Sequence, residues 1–99
     1  AIALLEKHAA LAGNDAEYQA LLATLYQRAG RHGEAIQRYT QALTLRPQEG
    51  RWWMGMGLSC EAEKKNDAAA EAYQRALGAA LDPKLQQYVR GRLATVKKE

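Results

Sequence analysis

The sequence falls into register with itself when Ala35 is laid on Ala69. Under the same shift Tyr39, Ala42 and Leu43 fall on Tyr73, Ala76 and Leu77, and Leu22 and Ala23 fall on Met56 and Gly57. Each block reads small residue, aromatic, small residue, leucine, at the spacing of one helix face. A fixed period of this size means one structural unit used more than once. Each unit buries its apolar face only by stacking on the next, which makes the chain a short helical solenoid. The functional question becomes what such a surface binds.

Composition agrees with a helical chain. Apolar residues make up 47% of the 99 residues, enough for the core of a single domain spanning 1–99. Ile and Val together number four, Phe is absent, and only two prolines occur, so the strand-forming residues are scarce. Ala and Leu dominate, and both enter helices at little cost. The net charge of +3 is scattered, with Lys97-Lys98 and Lys64-Lys65 the densest clusters. No basic stripe forms, so nucleic acid is not expected as a partner. No apolar run reaches the ~18 residues of a membrane span, so this segment is expected to make no membrane contact. No secretory leader is recognisable, and the sequence begins at Ala1 rather than Met, which reads as a piece of a longer chain. The single cysteine, Cys60, excludes an internal disulfide.

Turn residues divide the chain at Gly13-Asn14-Asp15, Gly30-Arg31-His32-Gly33, Pro47-Gln48-Glu49-Gly50, Lys65-Asn66-Asp67 and Leu81-Asp82-Pro83. Helices are predicted at about 1–12, 16–29, 33–45, 50–64, 67–80 and 83–97. Asp15 and Asp67 are the expected N-caps of two of them, and Asp82-Pro83 has the form of an N-cap followed by proline at the first helical position. Apolar stripes recur on the segments: Tyr18, Leu21-Leu22, Leu25-Tyr26; Ala35-Ile36, Tyr39, Ala42-Leu43; Ala69, Ala72-Tyr73, Ala76-Leu77; Leu85, Tyr88-Val89, Leu93, Val96. The short connections make neighbouring helices antiparallel.

Catalytic chemistry has few candidates. His8 and His32 are far apart in sequence; His32 reads as a solvated turn residue and His8 as a partly buried structural one. No pair of His, Cys or carboxylate residues has convincing metal-ligand spacing, and no cofactor is expected. Cys60 falls where the repeat wants a core residue, so it reads as a buried thiol rather than a nucleophile. Gly55-Met56-Gly57 superficially suggests a phosphate loop, but such a loop follows a strand, and these glycines lie inside a helix.

These residues resemble the tetratricopeptide repeat (TPR), a helix pair of the same period with small residues where helices cross and large ones between. Leu22, Ala23 and Tyr26 match its first helix, Gly30 its turn, Ala35, Tyr39 and Ala42 its second helix, and Pro47 its exit. Gln19 departs from the pattern, which usually has a large apolar residue there. Trp53, Met56, Gly57, Ala69, Tyr73 and Ala76 match again, with Cys60 in place of an aromatic and Pro83 arriving late. The resemblance implies an all-α, right-handed TPR superhelix of about six antiparallel helices. It divides into the second helix of a partial repeat (1–15), two repeats (16–49 and 50–82) and a capping helix (83–99). It further implies that the first helix of each pair lines a concave groove where peptides lie.

By position, Glu17, Ala20, Thr24, Gln27 and Arg28 face that groove from one repeat, and Arg51, Met54, Gly55, Leu58, Glu61 and Ala62 from the next. Gln87, Arg90 and Ala94 are candidates from the cap. Met54 and Leu58 either stand exposed on the concave wall or bury against a neighbouring helix. Exposed and rimmed by Arg28, Arg51 and Arg90, they suit an apolar or acidic peptide. The Lys/Asn set with which some TPRs clamp a C-terminal carboxylate is missing: Ala20, Thr24 and Gly55 occupy its places.

The function implied is a non-enzymatic scaffold that binds a protein or peptide partner in its groove. The alternative is an architectural segment that self-associates through the first helix, where Leu4, Leu5 and Leu11 want a partner. A narrower resemblance runs through Arg51–Leu58 with Glu61, Ala72–Leu77 and Gln87–Leu93. These stretches are similar to the C-terminal TPR region of pilus-biogenesis proteins of the mannose-sensitive haemagglutinin (MSHA) type, of the bacterial type IV pilus group. That resemblance implies a periplasmic domain of an inner-membrane-anchored protein; without it, a cytoplasmic setting is expected.

Overall fold

A computed structural model describes residues 2–9 and 15–97. Among them six helices follow in order: α1 (Ile2–Ala9), α2 (Ala16–Arg28), α3 (His32–Leu45), α4 (Gly50–Ala62), α5 (Asn66–Leu77) and α6 (Pro83–Lys97). The chain is all-α, as expected. Residues 10–14, with Leu11 and the Gly13-Asn14 turn, lie outside the described residues, as do the side chains of Leu5 and His8.

The caps explain where the helices begin. Asp15 accepts the Tyr18 backbone N–H at 3.2 Å and opens α2. Asp82 accepts the Lys84 N–H at 2.8 Å, with Pro83 first in α6. Asp67 is a correction. Helix α5 starts at Asn66 with Lys65 at the N-cap position, and Asp67 lies inside the first turn, where its charge suits the helix dipole.

The reason is the preceding turn. Gly30 closes α2 with φ +78°, and Lys64, one repeat later, takes the same left-handed conformation with φ 60°. The Arg31 N–H reaches the Tyr26 carbonyl at 2.8 Å, and the Lys65 N–H reaches the Cys60 carbonyl at 2.9 Å. Both turns therefore stop the helix in the same way, and α4 ends at Ala62, short of its predicted end at Lys64. Helix α5 also ends early, at Leu77. Ala80 leaves the helix to pair with the preceding exit loop: Gly50 N–H to Ala80 O is 3.1 Å and Ala80 N–H to Gln48 O is 3.2 Å.

Each helix packs on its sequence neighbours, most extensively α2 on α3 and α4 on α5, which gives an elongated stack of 40 × 25 × 19 Å. One core cluster holds Leu22, Ala23, Tyr26, Ala35 and Tyr39; the other holds Cys60, Ala69, Tyr73, Ala76, Val89 and Val96. Met56 packs against both and joins the layers. Burying Tyr26 or Tyr73 stabilises by ~2–3 kcal/mol as an upper bound. Small residues make room for these rings: a Cβ on Gly57 would stand 2.5 Å from Tyr73 Cε1, and one on Gly55 would stand 2.6 Å from Tyr39 Cζ.

The departure at Gln19 is compensated, because this buried side chain accepts from Arg38 Nη1 at 3.1 Å. Cys60 is buried in the second cluster, and burial pushes its thiol pKa up. The last helix differs from its apolar stripe. Val89 and Val96 are buried, but Tyr88 is 49% exposed.

Candidate functional site

Two polar ties link α2 to α4 and α4 to α6. Gln27 on α2 donates through Nε2 to the Gly55 carbonyl at 2.8 Å and to Ser59 Oγ at 2.9 Å, both on α4. Glu61 on α4 occupies the place of Gln27 in the next repeat and reaches α6. It accepts Arg92 Nε at 3.2 Å on one oxygen and Arg92 Nη2 on the other, and it also accepts the Tyr73 hydroxyl at 2.8 Å. Helix α6 is thus tied to α4 by a side-chain contact, as α4 is tied to α2. His32 corrects an expectation here. It is half-buried as the first residue of α3, with Nδ1 3.1 Å from the buried Ser59 hydroxyl, rather than a solvated turn residue.

Between α2 and α4 lies a groove of about 500 Å³. Glu17, Ala20, Leu21, Thr24 and Gln27 form one wall, and Arg51, Trp52, Met54, Gly55 and Leu58 the other, with Glu49 at the edge. Tyr39 lies beneath Gly55 as the floor, and its hydroxyl is 3.1 Å from Thr24 Oγ1. Burial raises the Tyr39 pKa, so the floor is a neutral phenol. The two alternatives for Met54 and Leu58 merge, since both pack partly on the second core cluster and both still line the groove.

Of the expected site residues, Glu17, Thr24, Gln27, Arg51, Met54 and Leu58 meet in this groove. Glu61 instead lines a smaller cleft of about 280 Å³ with Leu58, Ala62, Tyr88 and Arg92. Its carboxylate is committed to Arg92 and Tyr73. Arg28 and Arg90 are exposed and line neither cavity.

Sequence reasoning missed Leu21, Tyr39, Glu49 and Trp52 as lining residues. Leu21 was legible, because it is the repeat equivalent of the groove position Gly55. Trp52 was not, since adjacent tryptophans leave open which ring goes where. Trp53 turns to the other cluster, donates Nε1–H to the Pro47 carbonyl at 2.7 Å and stacks under Arg75.

The charged lining is mixed, with Glu17 and Glu49 beside Arg51. Glu17 pairs with Arg46 at 3.5 Å in solvent, a contact worth little. Arg46 also lies 6.0 Å from the Trp52 ring centroid. Arg51 is exposed with no ion pair among the described residues. Among those residues no group of three or more His, Cys, Asp or Glu side chains gathers to hold a metal, and no helix is long and apolar enough to cross a membrane. The arrangement can therefore accept an apolar side chain on Met54 and Leu58 while charges at its rim orient what carries it.

A sequence profile of the family described as Tetratricopeptide repeat matches residues 20–84. The fold is similar to the crystal structure of the Sgt2 TPR domain from Aspergillus fumigatus, with a TM-score of 0.78 and 23% identity, covering 98% of this chain and 64% of that one. It is similar also to the crystal structure of MamA protein, with a TM-score of 0.74 and 27% identity over 84% of this chain and 50% of that one. The chain thus spans 64% and 50% of the lengths of these two proteins. No curated protein matches the sequence significantly. Tetratricopeptide-repeat domains are in general non-catalytic scaffolds for protein–protein interaction. With the repeat matched over residues 20–84 and the helix pairs stacked as that repeat requires, this chain belongs to the tetratricopeptide-repeat family.

Proposed function

We propose that the chain works as an adaptor whose α2–α4 groove takes a peptide or a partner helix. The observation that carries this reading is a concavity in which Leu21, Trp52, Met54 and Leu58 are apolar and accessible while their backbones are held in packed helices. Gln27 ties the two walls together before any ligand arrives. Little ordering then remains to be done on binding, which favours affinity. The ligand lays its apolar side on Met54 and Leu58, and Arg51 steers its approach. Cross-linking capture on wild-type protein and on the Met54→Ser, Leu58→Ser double variant tests it. A partner held by the first and lost by the second is expected; equal recovery by both removes the groove from the mechanism.

The likeness of Arg51–Leu58, Ala72–Leu77 and Gln87–Leu93 to MSHA-type pilus-biogenesis proteins supports bacterial pilus assembly or secretion as the setting, with this chain on the periplasmic side of an anchored protein. Protease accessibility of the full-length protein in spheroplasts tests the compartment. Protection from the added protease argues for the cytoplasmic side. Self-association is favoured by one observation, Leu4 on α1 at 61% exposure. Mass that rises with concentration in sedimentation, and falls in Leu4→Ser, supports it.

A further inference from the structure

Where α2, α3 and α4 meet, Gln27, Ser59 and His32 form a chain of hydrogen bonds. Gln27 on α2 donates through Nε2 to the Gly55 carbonyl at 2.8 Å and to Ser59 Oγ at 2.9 Å. Ser59 Oγ in turn lies 3.1 Å from Nδ1 of His32, the first residue of α3. The Gly55 carbonyl can only accept, so Gln27 must turn its NH2 toward this pair of oxygens. Ser59 Oγ therefore accepts from Gln27 and has its own proton to place. Thr24, Thr40, Thr44 and Thr95 give theirs to the carbonyl one turn back. Ser59 makes no such bond among the described residues, and it has no exposure to water. Its proton goes to His32 Nδ1, which assigns the tautomer of the ring: Nδ1 is bare and Nε2 carries the hydrogen.

Charged and titratable groups approach this junction from every neighbouring element. From the end of α4, the Glu63 carboxylate lies 3.6 Å from the point where a Gly33 Cβ would stand, so it covers the first turn of α3, and Lys65 pairs with it at 3.4 Å. Cys60, next to Ser59, is buried, which pushes its thiol pKa up and keeps it neutral. On the ring's own segment Arg31 and Glu34 hold each other at 2.6 Å. On α2, Arg28 beside Gln27 is exposed, and Glu6 of α1 is bonded to the Tyr26 hydroxyl. Glu63 is the carboxylate best placed to favour a charged ring, and Lys65 already draws on it. The amide dipoles of α3 present their positive end at residue 32, where a further positive charge is unfavourable.

We infer that His32 is a pH-sensitive latch that joins the α2–α3 pair to α4: the chain of hydrogen bonds closes on a neutral ring and breaks on a charged one. A proton on Nδ1 makes that nitrogen a donor, so Ser59 Oγ faces two donors and its own buried hydrogen loses its acceptor. A buried hydroxyl left without an acceptor is costly, and Ser59 or Gln27 must turn away. Histidine gains its charge between about pH 8 and about pH 5, so mild acid opens the latch. Gln27 is also the tie between the two walls of the α2–α4 groove, so the same proton loosens those walls, whatever the groove binds. The next layer has a different residue at the equivalent place. Asn66 opens α5 as His32 opens α3, and its amide does not titrate in this range.

Two measurements on the whole chain test the latch. Nitrogen-15 shifts of the imidazole report the tautomer at about pH 8, and a bare Nδ1 is expected. A hydrogen on Nδ1 there overturns the relay. Amide exchange, corrected for the intrinsic rate, reports opening of α2 and α4. Their opening constant is expected to rise about tenfold from about pH 8 to about pH 5, as one stranded buried hydroxyl requires. His32→Asn puts an acceptor that cannot be protonated where Nδ1 lies, and should hold the opening constant level over that range. Ser59→Ala removes the stranded hydrogen, so it should open more readily at every pH and lose the rise. His8→Asn should keep the rise in full. A rise of the same size in His32→Asn, a rise that vanishes in His8→Asn, or no rise in the wild type overturns the latch. Should His32→Asn fail to fold, the tautomer and the Ser59→Ala profile decide.

Discussion

Gln27 and Glu61, at equivalent places in successive repeats, make the same reach from one first helix to the next, Gln27 to Ser59 Oγ at 2.9 Å and Glu61 to Arg92 Nε at 3.2 Å. One tie is neutral and the other ionic. The difference has consequences for how firmly α6 is held, because charge-assisted bonds in partly buried places are the stronger kind. Glu61→Gln and Arg92→Ala should each loosen α6. A double-mutant cycle should return a coupling of about 0.5–3 kcal/mol. Amide exchange across α6 is the direct readout, and unchanged protection in both variants would show that the Val89 and Val96 contacts alone hold the helix.

Two glycines on neighbouring first helices should respond oppositely to alanine. Gly57→Ala drives a methyl into the buried Tyr73 ring and should cost ~1–3 kcal/mol. Gly91 is mid-helix with open space around it, so Gly91→Ala should gain about 0.5–1 kcal/mol. Ala23→Leu, at a position with no exposure, should destabilise as Gly57→Ala does. Urea midpoints report all three, and equal shifts for Gly57 and Gly91 would mean that the helix register is misplaced.

Lys64 carries a left-handed backbone that Gly30 adopts freely at the equivalent turn. Lys64→Gly should therefore stabilise by about 1 kcal/mol, relieving a strain of ~1–2 kcal/mol against the extra flexibility of unfolded glycine. Thermal melts decide it: a lower midpoint would show that the lysine side chain contributes more than its backbone costs.

Alkaline pH should weaken the fold. Burial raises the pKa of Cys60, Tyr39 and Tyr73, so the folded chain holds these protons after the unfolded chain has lost them. Their contribution is complete below the unfolded values, about 8.5 for Cys and 10 for Tyr, and is lost as pH climbs through the raised folded ones. Stability should fall from about pH 9 upward, and Cys60→Ala should remove the earliest part of that decline. Thiol reagent should label native Cys60 far more slowly than unfolded Cys60. Rapid labelling of the folded protein would place the thiol at the surface.

Once a partner is known, Met54→Ala and Leu58→Ala should each weaken it by about 1 kcal/mol or more. Arg51→Ala should act mainly on association rate and its salt dependence. Gln37→Ala and Gln74→Ala, on the second helices, should change little. Surface plasmon resonance separates these effects, and loss of binding in the last two alone would move the partner to the convex face.

The sequence alone determined the repeat unit and the interior of its helix pairs. Ala23 and Gly57 had to be small because a ring from the partner helix lies against them, and Tyr39 and Tyr73 had to be large to fill the space. Such steric demands recur at fixed spacing, so periodicity exposes them, along with the burial of Cys60 and the Asp15 cap. Tertiary structure decided what lies between layers. Nothing local distinguishes Glu61 as a tie to Arg92 from Glu61 as a groove residue, because its partner sits on another helix, far along the chain. Nothing local marked Asp67 as lying inside a helix, since Lys64 supplies the turn that glycine supplies at the preceding one. Tyr88 carries the apolar signature of a core residue and is half-exposed, because its neighbour Val89 takes the buried place in the cluster with Cys60 and Tyr73.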